Sequence, residues 1–310
     1  MNDELNQVLN EYDAIEDAAA AEAYLLSAIE KSRQTHGSKS LFYATLLNEL
    51  GSLYRARSRF AESEKYFLEA SDILRKQLGD KHPDYATALN NLAGLYRLTG
   101  DYAKSDAMFE LTTDIYRVSL GEDHFLYASA LNNHGLLLQE MRQFEKACIM
   151  HEKALSILAK QDNPIAHATT HNNLVQPYLQ LGRIQEAKDN AHLALNIYEK
   201  EVSKNHPLYA IALNTVASVH AHEGSYSKAA SLCNDALAIL KAFYGETHKE
   251  VAIAYENLAI LYENSGHVDE ALTAASQADR IFTAVLGEDS EAAKKSGIFK
   301  AQLEAKTKSP

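Results

Sequence analysis

Thirteen histidines, two cysteines and 42 carboxylates give this chain of 310 residues ample material for acid–base or metal chemistry. Their spacing argues for little of it. His167 and His171 stand at i and i+4 on one helix face, a separation that suits two zinc ligands. No glutamate lies between them as in the H-E-x-x-H arrangement, and Cys148 stands alone. His134, Cys148, His151, His167 and His171 therefore read as residues of helix interfaces. A second set, His82, His124, His206 and His248, recurs with the internal repeat and reads as support for the linkers. The sequence contains no phosphate-cradling glycine loop, nucleophile elbow, Cys-x-x-Cys pair or EF-hand loop. The carboxylates are spread as solvated helix faces. The chain is thus expected to have no catalytic residue, metal site or cofactor, and not to be an enzyme.

Asparagine is the residue type whose placement demands a reason. One column reads Asn6, Asn48, Asn90, Asn132, Asn172, Asn214 and Glu256, with every step 42 residues except a single step of 40. The adjacent column reads Gln7, Glu49, Asn91, Asn133, Asn173, Thr215 and Asn257. Asparagine is a mediocre helix former because its side chain competes for backbone hydrogen bonds. Its amide offers donors and an acceptor at one point. A ladder of such amides suits the backbone of an extended peptide; equally, the amides could bond neighbouring helices or loops. Arg55 and Arg97, one turn further on, favour an acidic or phosphorylated ligand in the N-terminal half. The candidate binding residues are Asn48, Asn90, Asn91, Arg55, Arg97, Asn132, Asn133, Asn172, Asn173 and Asn214.

Each repeat predicts two amphipathic helices to carry these groups. Leu89, Leu92, Ala93 and Tyr96 lie at i, i+3, i+4 and i+7, one helical face. A turn at Gly100-Asp101-Tyr102 follows, and a second helix runs to a stop at Gly121, with equivalents at Gly79, Gly245 and Gly287. Small residues recur where two helices must approach: Ala21, Ser63, Ser105, Ala147, Ala187, Ala229 and Ala271 in one column, and Ala28, Ala70, Thr112, Ala154, Ala194, Ala236 and Ala278 in another. Larger side chains there would overpack the contact at a cost of about 1–3 kcal/mol. A tyrosine column, Tyr12, Tyr54, Tyr96, Tyr178 and Tyr262, is expected to fill the core. The linker at 160–164 is shortened, and Pro177 inside the next helix should remove one hydrogen bond and kink it. Residues 289–304 predict a polar capping helix, which a repeat array needs at its end, and the tail from 305 is expected to be disordered.

Composition narrows the function. Five prolines and 13 glycines leave the chain sparsely punctuated, and 46% hydrophobic residues suffice for a large core. A net charge of −12 disfavours nucleic acid and anionic membranes as partners. Two cysteines 85 residues apart suggest a reducing compartment, and the acidic start has no apolar core segment, so a cytoplasmic location is expected.

The recurring L-N-N-L-A-x-L-Y of residues 89–96, the G-x-Y that follows, and the L-G-x-x-H linkers at Leu78–His82 and Leu120–His124 resemble the tetratricopeptide repeat. They are most similar to the repeats of about 42 residues in kinesin light chains and their bacterial relatives. That resemblance implies an all-α, right-handed α-α superhelical solenoid of about seven helix-hairpin repeats over residues 1–288, broken near 160–177, with residues 289–310 as capping helix and tail. It implies that the first helix of each hairpin lines a concave groove taking a protein or extended peptide segment. Members that clamp a terminal carboxylate use groove lysines; no lysine stands in these columns. Kinesin light chains also carry a heptad segment that joins them to a motor; with the repeats starting at once, a motor-adaptor role is not expected. A protein-binding scaffold or adaptor is the function expected; a peptide-responsive regulator or an accessory subunit of an enzyme complex are the alternatives.

Overall fold

A computed structural model describes residues 2–15, 17–288 and 290–307. Those residues form fifteen α-helices and no strand: α1 (Asn2–Asp13), α2 (Ala18–Thr35), α3 (Leu41–Ala56), α4 (Phe60–Leu78), α5 (Pro83–Leu98), α6 (Tyr102–Leu120), α7 (Phe125–Glu140), α8 (Phe144–Leu158), α9 (Pro164–Gln180), α10 (Ile184–Glu201), α11 (Pro207–His222), α12 (Tyr226–Tyr244), α13 (Lys249–Asn264), α14 (Val268–Leu286) and α15 (Glu291–Thr307). Consecutive pairs from α1/α2 to α13/α14 make seven hairpins, and α15 packs on α14. The chain divides into two compact units at the shortened linker, residues 1–160 with α1–α8 and residues 161–310 with α9–α15.

The joints follow from local chemistry. Gly79, Gly121, Gly245 and Gly287 end α4, α6, α12 and α14 with φ of 91, 94, 82 and 84° and ψ near 160–180°. Only glycine enters that mirror-extended region without strain. The linker histidines then start the next helices: His82, His124, His206 and His248 each accept the backbone N–H two residues on, at Asp84, Leu126, Leu208 and Glu250, through Nδ1 at 3.1–3.3 Å. This satisfies one of the free donors at a helix N-terminus. α8 lacks this joint. It ends at Ala159 in the right-handed region, and Asn163 caps α9, with Pro164 at its first position. α9 continues through Pro177 to Gln180, so the missing N–H falls in its final turn.

The small-residue columns hold the hairpins together. All fourteen side chains are buried except Ala28, which is half-buried. The two serines are satisfied by the facing helix, Ser63 Oγ donating to the Gly51 carbonyl at 2.7 Å and Ser105 Oγ to the Ala93 carbonyl at 2.8 Å. The approach is closest at Gly51 and Gly135, where an added Cβ would fall 2.7 Å from the Phe67 ring and 2.6 Å from the His151 ring. Tyr54, Tyr96 and Tyr178 are buried in the core, with Tyr12 and Tyr262 half-buried. Their hydroxyls reach back to the preceding hairpin: Tyr54 donates to Glu22 at 2.9 Å and Tyr96 to Glu64 at 2.7 Å.

α15 extends to Thr307, so the helix covers Ala305, Lys306 and Thr307, which the sequence assigns to a disordered tail. Lys306 Nζ bonds Glu263 Oε1 at 2.5 Å, which anchors the added turn; the tail beyond, residues 308–310, lies outside the described residues. No described helix is long and apolar enough to cross a membrane.

Candidate functional site

Within each unit, successive first helices touch: α3 with α5, α5 with α7, and α9 with α11. That proximity belongs to the inner side of a stack of hairpins. The asparagine columns stand on this side. Asn48 is buried, 9% exposed, while Asn90, Asn91, Asn132, Asn133, Asn172, Asn173 and Asn214 are half-buried.

In the first unit the amides answer one another. Asn91 Nδ2 donates to Asn48 Oδ1 at 3.0 Å, and Asn133 Nδ2 donates to Asn90 Oδ1 at 3.2 Å. The second column of one repeat thus fills the acceptor of the first column in the repeat before. Asn132 Oδ1 meets His151 Nδ1 at 2.9 Å, and His151 Nε2 meets Gln139 Nε2 at 2.8 Å. His151 is fully buried at the place where Phe67 and Phe109 stand in the two preceding repeats, and burial pushes its pKa down to about 4. His134, in the register of Leu50 and Leu92, bonds Asp106 Oδ1 at 2.7 Å. The neighbouring-helix role of the amides, left open by the sequence, is therefore real in this unit.

The two arginines differ. Arg97 is paired with Glu140. Arg55 has no carboxylate within ion-pair reach among the described residues. Its guanidinium lies 5.7 Å over the Phe67 ring, and Nη1 donates to the Asn91 carbonyl at 3.4 Å. Burial, then the charge of Arg97, pulls its pKa down, against a smaller opposing pull from Glu49. Arg55 is thus the cation of this face with the most to gain from an anionic ligand.

In the second unit the ladder is left open. The buried Oδ1 atoms of Asn172 and Asn214 have no hydrogen-bond partner. Thr215 stands where an asparagine would serve Asn172, and its hydroxyl instead donates to the Ile211 carbonyl at 3.1 Å. A buried acceptor left without a donor costs about 1–3 kcal/mol. Asn214 also lines a cleft of about 480 Å³ flanked by α11 and α13, together with Ala217, Ser218, Tyr226, Asn257 and Ile260.

Sequence reasoning missed the apolar side chains of this face. Ile211 and Ile253 are 37% and 39% exposed, and Ile260 is 43% exposed. In the register of Ile211 and Ile253 the earlier repeats carry Thr45, Thr87, Ser129 and Thr169. Thr87 and Thr169 bond the hydroxyls of Tyr116 and Tyr198 at 2.7 and 2.8 Å. The switch from hydroxyl to isoleucine was the available signal.

His167 and His171 make an edge-to-face ring pair 4.7 Å apart, and His171 Nδ1 meets Asn190 Oδ1 at 2.6 Å. Among the described residues no group of three histidine, cysteine or acidic side chains is placed to hold a metal. Cys148 and Cys233 are buried and in no disulfide, and burial pushes the Cys233 thiol up to about 12.

The tetratricopeptide repeat family profile matches residues 14–76, 43–117, 84–160, 166–241 and 210–284. No protein of curated function matches the chain in sequence. Solved structures share the fold. BtubC (BKLC) from P. vanneervenii is 20% identical, with 75% of this chain and 93% of that chain covered and a TM-score of 0.56. The nearly identical TPR-like repeats of a Podosopora anserina protein designated a kinesin light chain are also 20% identical, over 66% of this chain and 97% of that one, with a TM-score of 0.51. A Rap protein complexed with Competence and Sporulation Factor is 16% identical, over 97% of both chains, with a TM-score of 0.59.

Proposed function

The chain belongs to the tetratricopeptide repeat family, and on that premise we propose that it is a scaffold or adaptor whose first helices hold an extended segment of a partner protein. The observation that carries this reading is the half-buried asparagine repeated along the first helices of both units: Asn90, Asn91, Asn132 and Asn133 in the first, Asn172, Asn173 and Asn214 in the second. Such amides offer hydrogen bonds to any main chain laid along them, so they suit polypeptide recognition. Asn48, Arg55 and Arg97 complete the first unit's face, and Arg55 directs it toward acidic or phosphorylated stretches. The net charge of −12 supports a protein ligand over nucleic acid or an anionic membrane. His82, His124, His206 and His248 are taken up by helix caps and His134, His151 and His171 by interface bonds, which supports binding rather than catalysis, and two cysteines in no disulfide fit a cytoplasmic setting.

The Rap protein complexed with Competence and Sporulation Factor has the same fold across its whole length. That likeness favours, as a second reading, a regulator that responds to a small ligand. Two measurements separate these readings. Partners captured by the intact chain, then mapped by hydrogen exchange, should protect α3, α5, α7, α9, α11 and α13. Protection confined to the second helices of the hairpins removes the proposal. A ligand-dependent change in the solution scattering of the free chain favours the regulator.

A further inference from the structure

The first hairpin breaks the repeat pattern where its two helices face each other. Every later second helix carries isoleucine and then a large apolar residue at one register: Ile73-Leu74, Ile115-Tyr116, Ile157-Leu158, Ile197-Tyr198, Ile239-Leu240 and Ile281-Phe282. α2 carries Lys31-Ser32 there. α1 places Glu4 where the following first helices have Leu46, Ala88 and Ala130, and His36 follows α2 at the register of Leu78 and Leu120. These four exchanges converge. Glu4, Lys31, Ser32 and His36 all line one cleft of about 260 Å³ between α1 and α2. Serine lacks the bulk that fills this register elsewhere, so the space stays open. Ser32 is 2% exposed, and its Oγ has no hydrogen-bond partner. Solvation of an outer helix face does not account for polar side chains on the wall between two paired helices.

The charges of the wall are incompletely matched. Glu11 is engaged, accepting the Tyr24 hydroxyl at 2.6 Å and Gln7 Nε2 at 2.8 Å. Among the described residues Glu4 meets only His36, whose Nε2 lies 3.3 Å from its Oε2. Lys31 is exposed and has no carboxylate within ion-pair reach among the described residues. The wall thus offers one unpaired cation and one under-used carboxylate. Between them lie Val8 and Ala28, beside the Phe42 ring that stacks on His36 at 4.6 Å. We propose that this cleft binds a free α-amino acid with an apolar side chain: its ammonium group meets Glu4, its carboxylate meets Lys31, and its side chain lies on Val8 and Ala28. The volume falls just below that of drug-sized pockets, which suits a ligand of amino-acid size. A purely anionic or purely cationic ligand would satisfy one of the two charges and meet the other as a like charge. Ser32 makes no bond to the ligand; it contributes the space. The inference goes beyond the scaffold reading and does not depend on it, since the cleft opens between the helices of one hairpin and not along successive first helices.

Calorimetric titration of the full-length chain with the twenty L-amino acids tests this. Leucine, isoleucine, methionine or phenylalanine should bind saturably. N-acetyl-leucine and leucinamide, each lacking one charge, should bind at least about tenfold more weakly than leucine. Ser32→Leu brings in the side chain of Leu74, Leu158 and Leu240, so it should abolish binding while leaving the melting midpoint at or above the parent's. Ser32→Ala keeps the space and should bind as the parent does. Glu4→Gln and Lys31→Gln alter exposed residues and should leave circular dichroism unchanged, yet each should weaken binding at least about tenfold. Should Ser32→Leu fail to fold, these two charge variants decide. No saturable binding by any apolar amino acid, equal affinity for leucine and N-acetyl-leucine, or full binding by a folded Ser32→Leu overturns the inference. None of these outcomes bears on partner capture by the first helices, which the hydrogen-exchange footprint tests.

Discussion

Asn90 in the first unit and Asn214 in the second occupy one register position, yet their oxygens have opposite fates. Asn90 Oδ1 is met by Asn133 Nδ2 at 3.2 Å, whereas Asn214 Oδ1 is buried with no donor. A structural amide completes its bonds within the fold, and replacing it removes stability. A buried amide oxygen left without a donor instead carries a cost of about 1–3 kcal/mol, and replacing it removes that cost. The same split runs through the neighbouring residues. Both units carry a threonine–tyrosine and a histidine–asparagine bond, but only the second places isoleucine, Ile211 and Ile253, in the threonine register.

Acid gives the largest expected effect on this contrast. His151 has a folded pKa of about 4 against an ordinary 6.5, because burial opposes its charge. The unfolded chain therefore binds the proton first. The stability tied to the neutral ring is complete above about pH 6.5, falls as pH drops toward about 4, and levels off below that, a loss on the order of 3 kcal/mol. Urea unfolding between pH 7 and pH 4 should show it. His151→Phe should flatten the profile, since Gly135 can receive a phenyl ring as Gly51 receives Phe67.

Asn132→Leu comes next. It strips the buried His151 ring of a partner and should cost about 2 kcal/mol in chemical denaturation. Asn214→Leu should leave stability within about 0.5 kcal/mol of the parent or raise it, because it removes a group that is already unsatisfied. Equal losses in the two variants would erase the distinction between the units. The smallest effect belongs to the hairpin turns. Arg142 and Ser58 hold φ of 60 and 57°, where four later or intervening turns use Gly100, Gly182, Gly224 and Gly266. Arg142→Gly should raise the melting midpoint by the equivalent of about 1 kcal/mol and leave ligand binding unchanged.

The fold was legible because its determinants are local and periodic. Small residues mark each hairpin contact, glycine marks the stops of α4, α6, α12 and α14, and a linker histidine marks the starts of α5, α7, α11 and α13. The hydrogen-bond partners of the amides were not legible, because Asn91 and Asn48 lie 43 residues apart and a column read down the repeats does not show which neighbour each member faces. Arg97 looked equivalent to Arg55, and Glu140 separates them. His134 and His151 occupy positions of leucine and phenylalanine, and only their geometry with Asp106 and Asn132 explains polar residues in the core. The exposed Ile211 and Ile253 fit the helical pattern no better and no worse than the threonines of the earlier repeats.

The glycine stop and histidine start have a bearing on how such a chain can change length. Where both are present, a 42-residue step carries its own exit and its own entry, so a copy spliced in or cut out in frame leaves its flanks chemically complete. The step ending at Ala159 carries neither signal and depends on Asn163 and Pro164 from the stretch that follows. Duplication at the α4–α5, α6–α7 and α12–α13 joints, which carry both signals, would extend the array, whereas at this one it would graft a helix end onto a partner it was not shaped to meet.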